Sequence, residues 1–148
     1  MMGIKGVGVD LVQISRLRQM VERWHDRFLK RVFTEAELDY CFRRRDPIPH
    51  LAARFAAKEA ALKALGTGLR MGISWRELEV RRMRGEPPTL MLSGRVKAIG
   101  EARGTSGWLL SLSHDGDYAF AQAVLLSDSR NQEDIEEAGS GGVHEGAP

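Results

Sequence analysis

The sequence predicts one α+β domain in which an antiparallel sheet packs against a long buried helix and shorter helices. The chain has 148 residues, of which 43% are hydrophobic and 28% charged, and this suits a single soluble globular domain. Residues 51–68 are rich in alanine and leucine, which are strong helix formers. Near residue 116, an Asp-Gly pair lies between two alternating apolar runs, a pattern typical of a β-hairpin.

The first predicted element is a strand over residues 4–9. Gly6 and Gly8 leave one face of this strand without side chains, so that face can pack closely against a helix. Asp10 follows directly. It is interpreted either as a metal ligand held by a rigid element or as the cap of the next helix.

An amphipathic helix is predicted over residues 15–28. Arg16, Arg23 and Arg27 occur at spacings i, i+7 and i+11, which places them in one row on this helix. Such a row is either an ordinary solvated face or a docking surface for an acidic helix of a partner.

A capping box at Thr34 and Glu37 predicts the start of a short helix that runs to about residue 43. Residues 46–49 contain two prolines and are predicted to form a loop before the central helix.

The stretch 51–68 is predicted to be a long helix that ends in a glycine loop. It is apolar almost all round, which is typical of a buried helix. Glu59, Lys63 and Gly66 occur at i, i+4 and i+7 and therefore share one face. This face is either an ordinary exposed ion pair or a metal ligand beside a phosphate-binding lysine, and the second interpretation requires another carboxylate.

Strands, a helix and a hairpin account for the rest of the predicted domain. His114 lies where the first hairpin strand enters the turn, and a lone histidine there is either structural or functional. The predicted ranges are residues 77–83 and 89–92 for strands, 93–103 for a helix, and 108–113 and 118–126 for the hairpin.

Charge divides the chain into two predicted regions, a domain at residues 1–126 and a disordered acidic tail at residues 127–148. The tail holds six acidic residues and one arginine, so its net charge is −5 and the remainder carries +7. A basic domain suggests an acidic partner or a polyphosphate ligand. The single cysteine and the lack of a membrane-length apolar run or an apolar leader predict a cytoplasmic protein.

Four stretches resemble the holo-acyl-carrier-protein synthase family of phosphopantetheinyl transferases, and the resemblance covers about residues 3–126. The third is the most specific because it is long and contains both charges of the predicted site. The stretches are GVGVDLVQISRL (6–17), FTEAE (33–37), RFAAKEAALKALGTG (54–68) and SLSHDGDYAFA (111–121).

The resemblance implies transfer of the 4′-phosphopantetheine group of coenzyme A to a serine of an apo acyl carrier protein, for fatty acid biosynthesis. It also implies a dependence on Mg²⁺, release of adenosine 3′,5′-bisphosphate, and a homotrimer with active sites between subunits. The residues it implies are Asp10, Glu59 and Lys63 for catalysis, Asp10 and Glu59 as metal ligands, and Arg54, Lys63, Gly66 and His114 as coenzyme A contacts. Since the carrier protein of the family is acidic, Arg16, Arg23 and Arg27 become its predicted docking face.

The chemistry of the residues agrees with these expectations. Mg²⁺ takes one or two protein carboxylates together with water and phosphate oxygens, whereas zinc prefers Cys and His ligands. Arg54 and Glu59 are five positions apart and hence roughly 140° apart around a helix. If both residues serve one cofactor, the site is expected to lie between subunits.

Three other functions remain open on the sequence alone. A nucleic-acid-binding module would use the basic domain, although no recognisable binding motif is present. A Mg²⁺-dependent nuclease would use Asp10 and Glu59, but its usual Glu-x-Lys partner is replaced by Glu79-Val80-Arg81. The third is a non-catalytic subunit that binds the carrier protein. The sequence also departs from the family pattern at Glu86, where a lysine is common, and in its acidic tail.

Overall fold

The computed structural model describes residues 2–128, which begin with a strand, continue with four successive helices, and end with two pairs of strands separated by a fifth helix. Five helices and five strands are present within it, together with a short 3₁₀ helix at Trp75–Glu77. In chain order they are β1 (Met2–Gln13), α1 (Ile14–Trp24), α2 (Asp26–Val32), α3 (Glu35–Phe42), α4 (Pro47–Leu65), β2 (Leu78–Arg81), β3 (Thr89–Leu92), α5 (Gly94–Ala102), β4 (Thr105–Asp115) and β5 (Tyr118–Asp128). The predicted α+β class is confirmed.

The strands form two antiparallel sheets rather than one. The main sheet has the order β1-β5-β4, and β2 pairs with β3 in the smaller sheet. In the main sheet, Met2 lies opposite Asp128 and Gln13 lies opposite Tyr118, so β1 and β5 run beside each other for their full lengths. The predicted hairpin of β4 and β5 also forms, and its pairing from Thr105–Ser127 to Asp115–Tyr118 is longer than the alternating pattern indicated.

β1 packs directly on the backbone of α4, as its two glycines predicted. A Cβ atom on Gly6 would lie 2.1 Å from the carbonyl oxygen of Ala64, and one on Gly8 would lie 1.9 Å from that of Ala60. Because real Cβ atoms do not approach so closely, only glycine fits at these positions. The close contact sets how near Asp10, the next residue on this face of β1, comes to α4.

α4 is a 19-residue helix with 13 buried residues, and the alanines that make it slim also let β1 and β5 approach it. The helix begins earlier than predicted. Residues 46–49 are not a loop, because Asp46 accepts a hydrogen bond from the backbone N–H of Ile48 (3.1 Å) and Pro47 occupies the first helical position. Proline suits that position, where its missing N–H would have no helical partner.

α4 carries a fully buried lysine, Lys58, whose charge is compensated inside the core. Its Nζ lies 2.6 Å from Glu37 Oε1 and 2.7 Å from the carbonyl oxygen of Val32. It also donates to the carbonyl oxygen of Trp75 in the 3₁₀ helix (3.2 Å). Burial lowers the pKa of Lys58, and the neighbouring Glu37 carboxylate opposes that change. The pair connects α3 and α4 inside the core, and removal of one partner would leave a buried charge without compensation.

The helix predicted over residues 15–28 is divided in two at His25, whose φ of 46° is outside the helical range. The turn redirects α2 so that Leu29 and Val32 are buried. As a result, Arg27 lies on α2, while Arg16 and Arg23 lie on α1. The prediction of one continuous helical row of three arginines is therefore wrong.

The predicted domain boundary between residues 126 and 127 falls inside β5. Ser127 is buried and lies opposite Gly3, and the strand continues to Asp128. The rest of the predicted acidic tail, residues 129–148, lies outside the described residues. Within residues 2–128, no helix has the length and apolar character needed to span a membrane.

Candidate active site

Two carboxyl groups from different elements meet at the centre of the candidate site. Asp10 lies on the face of β1 that packs on α4, and Glu59 lies on α4 beside it. Burial raises the pKa of Glu59 to about 8, and a hydrogen bond and charge repulsion with Asp10 act in the same direction. Two acids so close together disfavour double ionisation unless a cation lies between them.

Lys63 completes this group from the next turn of α4. Its Nζ lies 2.9 Å from Asp10 Oδ1 and 3.2 Å from the carbonyl oxygen of Val9. The hydrogen bond to Asp10 raises the pKa of Lys63. Because the Lys63 side chain remains 57% exposed, it is accessible to a ligand while it contacts Asp10.

The residues present fit a divalent cation with hard oxygen ligands. Asp10 Oδ2 is buried and has no hydrogen-bond partner among residues 2–128. The Glu59 carboxyl lies beside it, and the described part of the chain contains no cluster of three or more Cys, His, Asp or Glu residues able to hold a metal. Two carboxylates suit Mg²⁺, which keeps water and substrate oxygens as its other ligands, and do not suit zinc.

Asp10 does not cap the following helix, which was the alternative interpretation from sequence. α1 begins four positions later, and the carboxylate that accepts from its first turn belongs to Asp117. Asp10 instead makes its ion pair with Lys63.

A cavity of about 550 Å³ extends from Glu59 along α1 and is called the α1 groove below. Two of the three arginines predicted to dock a partner lie here, and Arg27 does not. The groove is lined by Arg16, Met20, Arg23, Phe28, Phe55 and Glu59, among others. It therefore joins a basic, partly apolar surface to the carboxyl pair.

Gly66 ends α4 in the left-handed conformation with φ of 82°, as the sequence predicted for a helix-terminating glycine. Its N–H donates to the carbonyl oxygens of Leu62 (3.0 Å) and Lys63 (3.1 Å). The guanidinium of Arg103 donates to the carbonyl oxygen of Leu65. The loop after α4 thus starts beside Lys63, and the guanidinium of the residue that follows α5 holds the end of α4 in place.

Arg54 lies away from the carboxyl pair, as the spacing on the helix predicted. Its guanidinium stacks 4.1 Å from the centre of the Tyr40 ring and donates to the carbonyl oxygen of His50 (3.3 Å). The His50 ring packs edge-on against His114, with 5.7 Å between ring centres. Arg54 and His114 are thus brought together through His50, on a side of α4 different from that of Glu59.

A second cavity, called the basic cavity below, adjoins this cluster and has a volume of about 630 Å³. It is lined by Tyr40, Arg44, His50, Arg82, Met83, Arg84 and Gly85. Burial and the nearby positive charges of Arg44 and Arg54 lower the pKa of His50. Three arginines around one cavity form a suitable site for phosphate groups.

Sequence reasoning missed several residues of these sites. His50 lies between the predicted loop at residues 46–49 and the predicted helix at residues 51–68, and no pattern connected it with His114. Arg82 was part of the strand predicted over residues 77–83 and Arg84 follows it directly, and neither was connected with the central helix. Arg103 looked like the ordinary end of an amphipathic helix. Only the tertiary fold places these cations beside α4.

Comparisons with known proteins identify the family of the chain. Residues 6–123 match the model of the 4′-phosphopantetheinyl transferase superfamily. The holo-[acyl-carrier-protein] synthase of Syntrophotalea carbinolica is 51% identical over 122 residues, which cover 82% of this chain and 95% of that protein.

Solved structures of similar proteins show the same fold. The crystal structure of holo-[acyl-carrier-protein] synthase from Neisseria meningitidis superposes with a TM-score of 0.77 at 32% identity, and the match covers 83% of this chain and 98% of that one. The Helicobacter pylori enzyme, solved in complex with coenzyme A, gives a TM-score of 0.71 at 29% identity, with 80% and 98% covered. From the matched residues and these similarities, we conclude that the chain belongs to the holo-acyl-carrier-protein synthase family of 4′-phosphopantetheinyl transferases.

Proposed function

We propose that this protein transfers the 4′-phosphopantetheine group of coenzyme A to a serine of an apo acyl carrier protein, in a reaction that depends on Mg²⁺. The products are the holo carrier protein and adenosine 3′,5′-bisphosphate. The proposed setting is fatty acid biosynthesis in the cytoplasm, and the proposed assembly is a homotrimer. The proposed catalytic domain spans residues 1–128, which extends the sequence-based boundary to the end of β5.

One observation carries the proposal: Asp10, Glu59 and Lys63 meet beside the α1 groove, which Glu59 lines. Carboxylates and a lysine supply what a pyrophosphate substrate needs, namely a cation site and a positive side chain. The groove leads from them to Arg16 and Arg23, which can face an acidic carrier protein. Cofactor chemistry and partner recognition therefore lie side by side.

The reaction is a displacement at phosphorus. The serine oxygen forms a bond to the phosphorus next to the pantetheine arm, and the bond from that phosphorus to the bridging pyrophosphate oxygen breaks. Adenosine 3′,5′-bisphosphate leaves with the electron pair. A divalent cation held by Asp10 and Glu59 supplies positive charge to the pyrophosphate when it is bound.

The residues of the chain position the reactants and handle the proton. Lys63 is close enough to Asp10 to be held beside the pyrophosphate, where its charge favours the leaving group. Glu59 is the candidate acceptor for the serine proton, because it faces the groove. Its pKa is raised to about 8 without metal, and a cation bound beside it would favour the ionised carboxylate that can take up a proton.

The nucleotide end of coenzyme A is proposed to bind at Arg54 and His114 and in the basic cavity of a neighbouring subunit. Arg54 Nε is buried without a hydrogen-bond partner among residues 2–128. Arg44, Arg82 and Arg84 supply further positive charge for the phosphate of the nucleotide. Because Arg54 and Glu59 lie on different sides of α4, we propose that a cofactor that reaches both residue types lies between two copies of the chain.

The outer face of the main sheet supports self-association. An antiparallel sheet usually exposes polar side chains on the face that does not pack on the core. Here that face carries exposed apolar side chains on all three strands, a feature typical of a protein interface. They include Val7 (53% exposed), Val9 (47%), Leu11 (60%), Leu109 (58%) and Phe120 (40%).

The carrier protein is proposed to dock on the α1 groove through Arg16 and Arg23, with Arg27 on α2 at its margin. The arginines would attract acidic side chains, and the apolar lining from Met20, Phe28 and Phe55 would accept an apolar side chain.

The direct test incubates apo acyl carrier protein with coenzyme A and Mg²⁺ and measures the mass of the carrier. We expect the mass of one phosphopantetheine group to be added, and we expect no addition when a chelator removes the metal. Asp10→Asn and Glu59→Gln should abolish the addition, whereas Glu101→Gln, at an exposed position on α5, should retain it. An unmodified carrier with the wild-type protein, under every divalent cation tried, would contradict the proposal.

Two of the alternative functions, the nuclease and the non-catalytic subunit, gain no support from the geometry. Glu79, the candidate partner residue of a nuclease site, bonds to Thr34 (2.7 Å) and Arg81 (2.7 Å) rather than to the carboxyl pair. A non-catalytic subunit would not need the grouping of Asp10, Glu59 and Lys63.

A further inference from the structure

The turn between β4 and β5 reaches across the fold to the start of α1. Gln13, which precedes the helix, makes no side-chain hydrogen bond to its first turn. Asp117 supplies these bonds instead: its carbonyl oxygen accepts from the N–H of Ile14 (2.7 Å), and its Oδ1 accepts from the N–H of Ser15 (2.9 Å). Its Oδ2 also accepts from the Ser15 hydroxyl (2.6 Å). A residue 102 positions later in the chain thus caps α1.

This cap replaces the one that the local sequence lacks. The first N–H groups of a helix have no partner within the helix, and a carboxylate there satisfies them and complements the helix dipole. The hydrogen bonds from Ser15 hold the pKa of Asp117 below its ordinary value. The carboxylate is therefore charged at neutral pH, when its interaction with the helix is strongest.

α1 forms a wall of the α1 groove, and Asp117 caps the turn of α1 that carries a groove-lining arginine. Arg16 directly follows Ser15, and Arg23 lies two turns further along the same helix. Farther along α1, Arg18 Nη2 donates to Asp46 Oδ2 (2.6 Å), which ties the helix to the start of α4. The first turn, however, depends on Asp117 for its hydrogen bonds.

We propose that Asp117 is a positioning residue that holds α1 in place for docking of the acidic carrier protein. The inference rests on the proposed function, because it assumes that the carrier protein uses the α1 groove. It also gives the turn of β4 and β5 two tasks, because His114, a proposed coenzyme A contact, lies three residues before Asp117. Cofactor binding and carrier docking would then share one hairpin.

The sign of the mutational effect separates positioning from simple electrostatics. Asp117 is a negative charge near a surface that attracts an acidic partner. If only its charge mattered, removing it would strengthen carrier binding. If it positions the helix, removing it would weaken carrier binding despite the favourable change in charge.

The test compares steady-state kinetics of Asp117→Ala, Asp117→Asn and Asp115→Ala in the full-length protein. Asp115→Ala is the matched control, because it removes an exposed carboxylate two residues away, at the end of β4. We expect Asp117→Ala to raise the KM for the carrier protein about fivefold, a typical consequence of losing a helix cap, with kcat and the KM for coenzyme A unchanged. Asp117→Asn keeps an oxygen acceptor and should recover most of the loss, and Asp115→Ala should not raise the KM.

Amide hydrogen exchange provides a readout that does not depend on activity. Asp117→Ala should accelerate exchange at residues 15–17, and Asp115→Ala should not. The inference would be overturned if Asp117→Ala left the KM for the carrier protein unchanged or lowered it. It would also be overturned if the variant raised both KM values and lowered kcat by the same factor. If the wild-type protein modifies no carrier, the proposed function fails and this inference fails with it. An active wild type with an unaffected Asp117→Ala variant overturns the inference alone.

Discussion

Replacing Glu59 with glutamine should stabilise the fold in the absence of metal while it removes the proposed function. The pKa of Glu59 is raised from 4.5 to about 8, mainly by burial and secondly by Asp10. The folded state therefore disfavours the charged form. Below pH 4.5, Glu59 is protonated in the folded and unfolded states and costs nothing. As the pH rises towards 8, the unfolded state loses the proton first, and the folded state becomes less stable relative to it.

The magnitude follows from the same values. The interval between 4.5 and about 8 corresponds to an upper bound of roughly 5 kcal/mol. Since Glu59 is only partly buried, solvent screening reduces this value to about 2 kcal/mol. Glutamine has nearly the same shape and no charge, so it should recover this free energy. For a domain of this size, the expected increase in Tm at pH 8 is about 8 °C.

Thermal unfolding of the wild type and Glu59→Gln from pH 4 to pH 9, in a chelating buffer, measures the effect. The two proteins should have the same Tm near pH 4, and the difference should grow as the pH rises to 8. Added Mg²⁺ should then raise the Tm of the wild type and leave that of Glu59→Gln unchanged. Glu101→Gln is the control, and its Tm should follow that of the wild type throughout. A Glu59→Gln variant that is less stable at pH 8, or whose Tm difference does not depend on pH, would refute the reasoning.

Three further predictions follow from the packing and the surface. Gly8→Ala should destabilise the protein by about 3 kcal/mol in chemical denaturation, because the new Cβ atom would overlap the backbone of α4. Gly3→Ala should have little effect, because no atom lies within 4 Å of the added Cβ. Equal effects of the two substitutions would contradict the close contact between β1 and α4. Arg16→Glu should lower kcat/KM for the carrier protein about tenfold in transfer assays and change coenzyme A binding little. Arg27→Glu should have a smaller effect, because Arg27 lies outside the α1 groove. Equal weakening of carrier use and of coenzyme A binding would count against this docking face. If the protein forms the proposed trimer, Val7→Lys should yield smaller species in sedimentation experiments, whereas Leu69→Lys, in the loop after α4, should sediment as the wild type does. A wild-type protein that sediments as a monomer would remove the basis for the shared site.

Local sequence patterns predicted those elements whose signals lie within a few residues. The capping box at Thr34 and Glu37 forms as expected, with both reciprocal hydrogen bonds present. Gly66 ends α4 in the left-handed conformation. The Gly6 and Gly8 pair correctly predicted a strand against a helix, because a strand face without side chains has few other uses. Each of these signals combines a residue type with a backbone requirement.

Boundaries set by tertiary packing could not be read in the same way. No glycine or proline marks the break at His25, which arises because α2 must turn to bury Leu29 and Val32. Pro47 looked like a loop residue, although it is equally suited to the first turn of α4. β5 continues past residue 126 because Ser127 is paired with both β1 and β4 and Asp128 with β1. The acidic composition that begins at residue 127 concealed this continuation.

The candidate site was predictable in part. Helical spacing placed Glu59 and Lys63 on one face and Arg54 on another, and both placements agree with the structure. To predict the contact between Asp10 and Glu59, one must know which strand packs on α4. The glycines of β1 and the family resemblance supplied that information. The cap from Asp117 to α1 was not predictable, because its partners are 102 positions apart and a turn residue such as aspartate has an adequate local explanation.

The central claim is that Asp10 and Glu59 together bind one divalent cation beside coenzyme A. Electron paramagnetic resonance with Mn²⁺ in place of Mg²⁺ tests it directly, because free Mn²⁺ gives a sharp six-line signal that weakens when the ion is bound. In the presence of coenzyme A, the wild-type protein should reduce the free signal, and Asp10→Asn and Glu59→Gln should each restore it. If either variant binds Mn²⁺ as tightly as the wild type, the two carboxylates do not share a cation.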